Sequence, residues 1–184
     1  MNRILVVGSF GFGFILRLCD RAAATFTLLS VILMLCARPA VAQEDQLKHD
    51  LVGPWKIISS TSQRDDGTTW GPNPKGLLIF TDNGRFSLQI MRSDRPKYKS
   101  GTRVRASLIE NQATTRGTLS FFGTYTVSEP DHTVTFHIDS STYPNLDDTN
   151  QKRQLTLSGD SLKLENLTPS RGTGPTVQIW EREK

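Results

Sequence analysis

The chain is poor in cysteine and histidine and has no apolar run long enough to cross a bilayer as one helix. Its two cysteines, Cys19 and Cys36, both fall within the first 42 of 184 residues. The 142 residues that follow can form no disulfide, yet a domain of that size buries enough surface to stand without one. There are three histidines, His49, His132 and His137. His49 lies in a polar stretch. His132 and His137 sit five apart on or beside one strand and so point to opposite faces, which denies them the same-face pair that a metal site needs. No metal and no cofactor is expected. No serine stands in a nucleophile elbow, and no cysteine is left beyond residue 42 to act as a nucleophile. The acidic pairs Asp65-Asp66 and Asp147-Asp148 fall in turn-like stretches, where Asp serves backbone geometry. His137 is a residue type that can serve as a general base, but it shares the Thr133/Thr135 face, which reads as outward.

The first 42 residues differ from the rest. Two apolar runs, 4–16 and 22–37, are broken by Arg17, Asp20 and Arg21, and Arg38-Pro39-Ala40-Val41-Ala42 leads into Gln43-Glu44-Asp45. A basic start, an apolar stretch and small residues at Ala40 and Ala42 are the parts of a secretory signal, with cleavage expected after Ala42. An uncleaved anchor is the competing reading, although a helix needs about 20 apolar residues to span a bilayer and neither run reaches that. Two runs make a long signal, which a translation start nearer Arg21 explains; a precursor whose N-terminal residue is Met1 rules that out. Leu18 and Leu35 precede the cysteines, which does not suit a lipoprotein. The domain is therefore expected to be periplasmic or secreted, with no stable membrane span after cleavage. The first 42 residues carry four Arg and one Asp, so the remainder holds 18 basic and 17 acidic residues, a net charge of about +1. That near-balance gives no general pull on nucleic acid or acidic membranes.

Residues 43–50 read as a short polar tail ahead of a domain spanning 51–184. From 51 on, apolar and polar residues alternate with period two between turn residues, the pattern of half-buried strands. Strands are expected over 51–61, 76–81, 85–91, 121–128, 133–140, 151–157, 161–165 and 175–182. In the first, Trp55, Ile57 and Ser59 share a face; in the third, Phe86, Leu88 and Ile90; in the fifth, Val134, Phe136 and Ile138; in the last, Val177 and Ile179. Asn83-Gly84 supplies a hairpin turn, as do Glu129-Pro130-Asp131 and Ser158-Gly159-Asp160. Strands joined in sequence by hairpins form a meander, and closure removes its exposed edges. Eight strands enclose a space just wide enough for side chains or one small ligand. The expected fold is an all-β, eight-stranded antiparallel up-and-down barrel. Residues 92–118 interrupt it with one short helix or lid over 102–112, capped by Thr102 and with Val104 and Leu108 on one face.

Leu51-Val52-Gly53-Pro54-Trp55 has the Gly-x-Trp spacing of lipocalins, and Ile179-Trp180-Glu181-Arg182 ends on a basic residue where lipocalins set an Arg across the Trp ring. With 73–80 (NPKGLLIF), 82–87 (DNGRFS), 91–96 (MRSDRP) and 122–127 (FGTYTV), the chain resembles the bacterial and fungal lipocalin-like domain family over nearly all of its length after residue 50. The resemblance implies a lipocalin-like barrel whose base is plugged by Gly53, Trp55 and Arg182, with the guanidinium stacked on the indole. The stretch after Arg95 is more basic than the family pattern, a departure that bears on ligand preference.

The inward stripe Phe86, Leu88, Ile90, Tyr125, Phe136 and Ile138 either lines a ligand cavity or fills a dry core. Arg92, Arg95, Lys97, Lys99, Arg103 and Arg105 form a basic run around Tyr98. It reads as a solvated loop or as a barrel mouth that grips an anionic head group, with Arg92, Arg95 and Tyr143 as mouth residues. Asn166-Leu167-Thr168 matches a glycosylation sequon, meaningful only where that machinery exists. The leading expectation is an exported protein that binds a small apolar or amphipathic molecule in the barrel and no nucleic acid. Two alternatives stand beside it. One is a barrel enzyme of isomerase or hydrolase type using an interior Tyr or Arg, marked by an interior polar cluster with a perturbed ionisation. The other is a filled-core structural or stress-related protein, marked by the lack of a cavity.

Overall fold

The computed structural model describes residues 40–61, 70–167 and 175–184. The expected signal and the Asp65-Asp66 pair lie outside these. Helix α1 (Ala40–Leu51) leads into eight strands: β1 (Gly53–Ser60), β2 (Lys75–Phe80), β3 (Arg85–Met91), β4 (Thr118–Ser128), β5 (Thr133–Ser141), β6 (Asn150–Ser158), β7 (Ser161–Asn166) and β8 (Thr176–Arg182). Each strand pairs antiparallel with the next, and β8 returns to β1, so the described strands form a closed barrel. The eight expected strands are all present. A single short α-helix, α2 (Leu108–Arg116), lies between β3 and β4. No helix among the described residues is long and apolar enough to cross a membrane.

Alternation decides which residues face inward. Leu78 pairs with Leu88 and Phe80 with Phe86 across β2 and β3, and Leu88 pairs with Phe121 of β4. All five are buried, as are Tyr125, Val134, Phe136 and Ile138. At the β2–β3 hairpin the Gly84 N–H donates to the Thr81 carbonyl (3.1 Å), and Gly84 takes φ +80°. A type I turn followed by a left-handed residue needs that conformation. In β1 the register shifts between Ile57 and Ser59. Ile58 is turned outward and Ser60, paired with Gln178, takes the inward position expected for Ser59, with its Oγ buried and unpartnered.

Three segments depart from expectation. Residues 43–50 are not a tail but most of α1: Leu47 and Leu51, four apart, share one helix face and pack on the barrel core, where Leu51 is fully buried. In the central connection Thr102 caps only a 3-10 turn, Arg103–Arg105. The α-helix starts later, at a capping box in which Ser107 Oγ accepts from the Glu110 N–H (3.3 Å) and Glu110 Oε2 accepts from the Ser107 N–H (2.8 Å). Val104 and Leu108, expected on one helix face, do not share one, because the α-helix begins between them; they are 93% and 84% exposed.

A candidate ligand cavity in the open half of the barrel

The interior has two unlike halves. At one end Trp55, Phe80, Tyr125, Leu155, Leu162 and Trp180 fill the space beneath Leu51 of α1. The Arg182 guanidinium lies 4.2 Å from the Trp55 ring centroid and donates to the carbonyls of Val52 and Asp50, while Trp55 Nε1 donates to the Leu51 carbonyl (2.8 Å). Gly53 sits at φ +122°, and a Cβ there would stand 3.2 Å from the Arg182 Nη1. The Gly-x-Trp glycine thus leaves room for the guanidinium in a backbone conformation that only glycine adopts freely. Tyr125 belongs to this plug: its hydroxyl donates to the Thr81 carbonyl (3.0 Å), and burial, then the charge of Asp82, pushes its pKa up to about 12.

The other half holds a cavity of about 220 Å³, partly open to solvent. Leu88, Phe121, Phe136 and Leu164 give it an apolar floor, and Leu119 and Leu146 an apolar wall. The floor is stiffened by ring contacts, with Phe86 and Phe136 centroids 4.6 Å apart and Phe86 and Phe121 5.8 Å apart. Trp70, Tyr143 and, from α2, Thr115 and Arg116 stand around it. The opposing wall is polar: Gln151 and Arg153 of β6, Asn166 of β7, and Thr176 and Gln178 of β8.

Arg153 is the unusual member. Burial alone lowers its pKa to about 10. Its guanidinium donates to its neighbour's carbonyl, Lys152 O (2.8 Å), and to Gln151 Oε1 (3.3 Å), and no carboxylate pairs with it among the described residues. A cation in such a place is costly unless something anionic joins it.

The structure places the sequence-derived candidates unevenly. Leu88, Phe136 and Tyr143 line the cavity. Phe86, Ile90 and Ile138 are buried around it without lining it, and Tyr125 lies in the plug. Arg92 and Arg95 do not reach the cavity. Arg92 forms a two-point ion pair with Asp94 (2.9 and 2.6 Å), which holds the Asp94 carboxyl below its usual range. Arg95 ties its loop to β4 by donating to Thr118 Oγ1 (2.8 Å) and the Arg92 carbonyl (3.0 Å). Gly53, Trp55 and Arg182 meet at the barrel base as described. His137 faces outward, bonded to Asn150 Oδ1 (2.7 Å) and Thr126 Oγ1 (3.2 Å). Asn166 is 8% exposed and lines the cavity, so its amide is not presented as a glycosylation acceptor would need.

Sequence reasoning passed over the polar wall. The signal was phase: Arg153 is in step with Leu155, Asn166 with Leu164, and Gln178 with Trp180. In β8 the inward face is not that of Val177 and Ile179 but that of Trp180, which is fully buried. The indole offers more apolar area to bury than either aliphatic chain, and its register carries Gln178 inside.

No curated protein matches the chain. The sequence profile of the lipocalin-like domain matches residues 52–183, from the residue before Gly53 to the residue after Arg182. With that match and the closed eight-stranded barrel, the chain belongs to the lipocalin-like domain family.

Proposed function

We propose that the protein is exported and that its barrel binds one small apolar or amphipathic molecule in the cavity of its open half. The observation that carries this reading is the half-empty interior: an apolar floor facing a few convergent polar groups, the make-up of small-molecule sites. A filled-core protein would pack this space as densely as the plug beneath it. The enzyme reading draws support from Arg153, an interior polar group with a shifted ionisation. Against it, the cavity-lining residues that are described include no carboxylate, imidazole, thiol or amine, which leaves Tyr143 and the guanidiniums as the ionisable groups there. Export rests on the signal-like first 42 residues. The described contacts of α1 with the barrel include those of Leu47, Lys48, Asp50 and Leu51, all of which cleavage after Ala42 leaves in the chain.

The test is native mass spectrometry of the protein purified from its own host, beside a Leu119→Trp variant that fills the cavity. A small molecule carried by the wild type and lost from the variant supports the reading. An equal load on both proteins, or an empty wild type, counts against it.

A further inference from the structure

We propose that the cavity selects a small monocarboxylate, its carboxylate held by Arg153 and its apolar body laid on Leu88, Phe121, Phe136 and Leu164. This rests on the reading of the cavity as the ligand site and names the class of ligand.

Charge comes first. The described cavity lining carries two guanidiniums, Arg116 and Arg153, and no acidic residue. The carboxylates nearest in sequence lie elsewhere: Asp147 and Asp148 belong to the β5–β6 connection, and Glu165 faces outward to pair with Lys163 (3.1 Å). Arg153 has five N–H donors, and two of them are used, on Lys152 O and Gln151 Oε1. Three donors on a planar, partly buried cation remain without a protein acceptor among the described residues. A carboxylate matches that fork with two parallel bonds and supplies the missing charge. The Gln178 amide, which makes no side-chain hydrogen bond among the described residues, lines the same cavity and offers a further donor.

Size and shape come next. An apolar cavity of about 150 Å³ takes benzene, so about 220 Å³ takes roughly ten non-hydrogen atoms, carboxylate included. That is a short aliphatic or single-ring acid and not an enclosed long-chain fatty acid. The polar wall stands opposite the aromatic floor, so the ligand has one charged end and one apolar end. A phosphate has no apolar body for the floor.

The experiment is a calorimetric titration at pH 7 with hexanoate, octanoate, benzoate and phenylacetate, the primary amide of each, and inorganic phosphate. Wild type is compared with Arg153→Met. The expected result is that at least one carboxylate binds the wild type at least tenfold more tightly than its own amide and than phosphate. Arg153→Met then loses that preference while still binding the amide, which shows that the variant's cavity is intact. Equal binding of acid and amide, tighter binding of phosphate, or a preference that survives Arg153→Met overturns the inference and leaves the cavity as a neutral ligand site. If neither acids nor amides bind, the cavity itself is not a ligand site, and the broader reading falls with this one.

Discussion

If Arg153 is held in the barrel for a ligand, the empty protein should be more stable without it. Burial lowers its pKa to about 10, and at 1.36 kcal/mol per unit this is a penalty of about 3 kcal/mol on the charged side chain in the folded state. Met has similar length, no charge and a soft thioether that fills irregular space. Arg153→Met gives up the bonds to Lys152 O and Gln151 Oε1, so the net gain is smaller, about 1–2 kcal/mol. For a domain of this size that raises Tm by roughly 3–8 °C. The pH dependence has a definite sign. Burial disfavours the charged form, so as pH rises through about 10 the folded protein gives up the proton more readily than the unfolded one, and the wild type gains stability relative to the variant. Differential scanning calorimetry of both proteins, without ligand, from pH 7 to 11 reads this directly. A variant that melts below the wild type at pH 7, or a difference that stays constant as pH passes 10, refutes the idea that the guanidinium is uncompensated.

Three further outcomes follow from the geometry. Gly53→Ala forces a side chain into φ +122° and against the Arg182 Nη1, so it should destabilise the barrel by about 1–3 kcal/mol in urea unfolding, and an unchanged midpoint would show that the base plug does not depend on this glycine. Glu110 has its carboxyl held below the usual 4.5 by the Lys99 N–H, then by the Ser107 N–H and hydroxyl. Its contribution is present above the unfolded value and lost as pH falls through the folded one. Amide exchange over residues 107–116 should therefore accelerate in that acidic window, and Glu110→Gln should flatten the dependence; an identical profile in the variant assigns it to other groups. Protein recovered from the host should begin at Gln43 and melt within about 1 °C of the full-length chain, since the described contacts of Leu47 and Leu51 with the barrel stay in the shorter form. A lower Tm for the shorter form would mean that earlier residues support the barrel.

The barrel was legible because its strands alternate cleanly and its turns are chemically marked. Phe86, Leu88 and Ile90 against Ser87 and Gln89, entered through Asn83-Gly84, leave one reasonable arrangement for β2 and β3. Trp55 and Arg182, 127 positions apart, were paired through the family resemblance and meet at 4.2 Å. What stayed hidden depends on tertiary context. Ser107 and Glu110 form a stronger cap than Thr102, but a threonine followed by basic residues reads as well on propensity alone. The bulge at Ile58 exchanges Ser59 for Ser60, and no local pattern announces a bulge of this kind. The largest gap is the site. Charge in the sequence concentrates in the β3–β4 connection, where Arg92 pairs with Asp94 and Arg95 bonds Thr118 and the Arg92 carbonyl. Arg153, one of two guanidiniums at the cavity, lies outside that cluster beside Lys152 and is identifiable by its phase with Leu155.

The central claim is that the barrel is closed by packing at one end and receives its ligand at the other. The direct test is a methyl-resolved NMR titration of leucine-labelled protein with the tightest-binding compound of the carboxylate and amide panel. The account predicts shifts at Leu88, Leu119, Leu146 and Leu164, which line the cavity, and none at Leu51, Leu155 and Leu162 in the plug. Shifts centred on the plug leucines, or confined to the exposed Leu108 of α2, would contradict it.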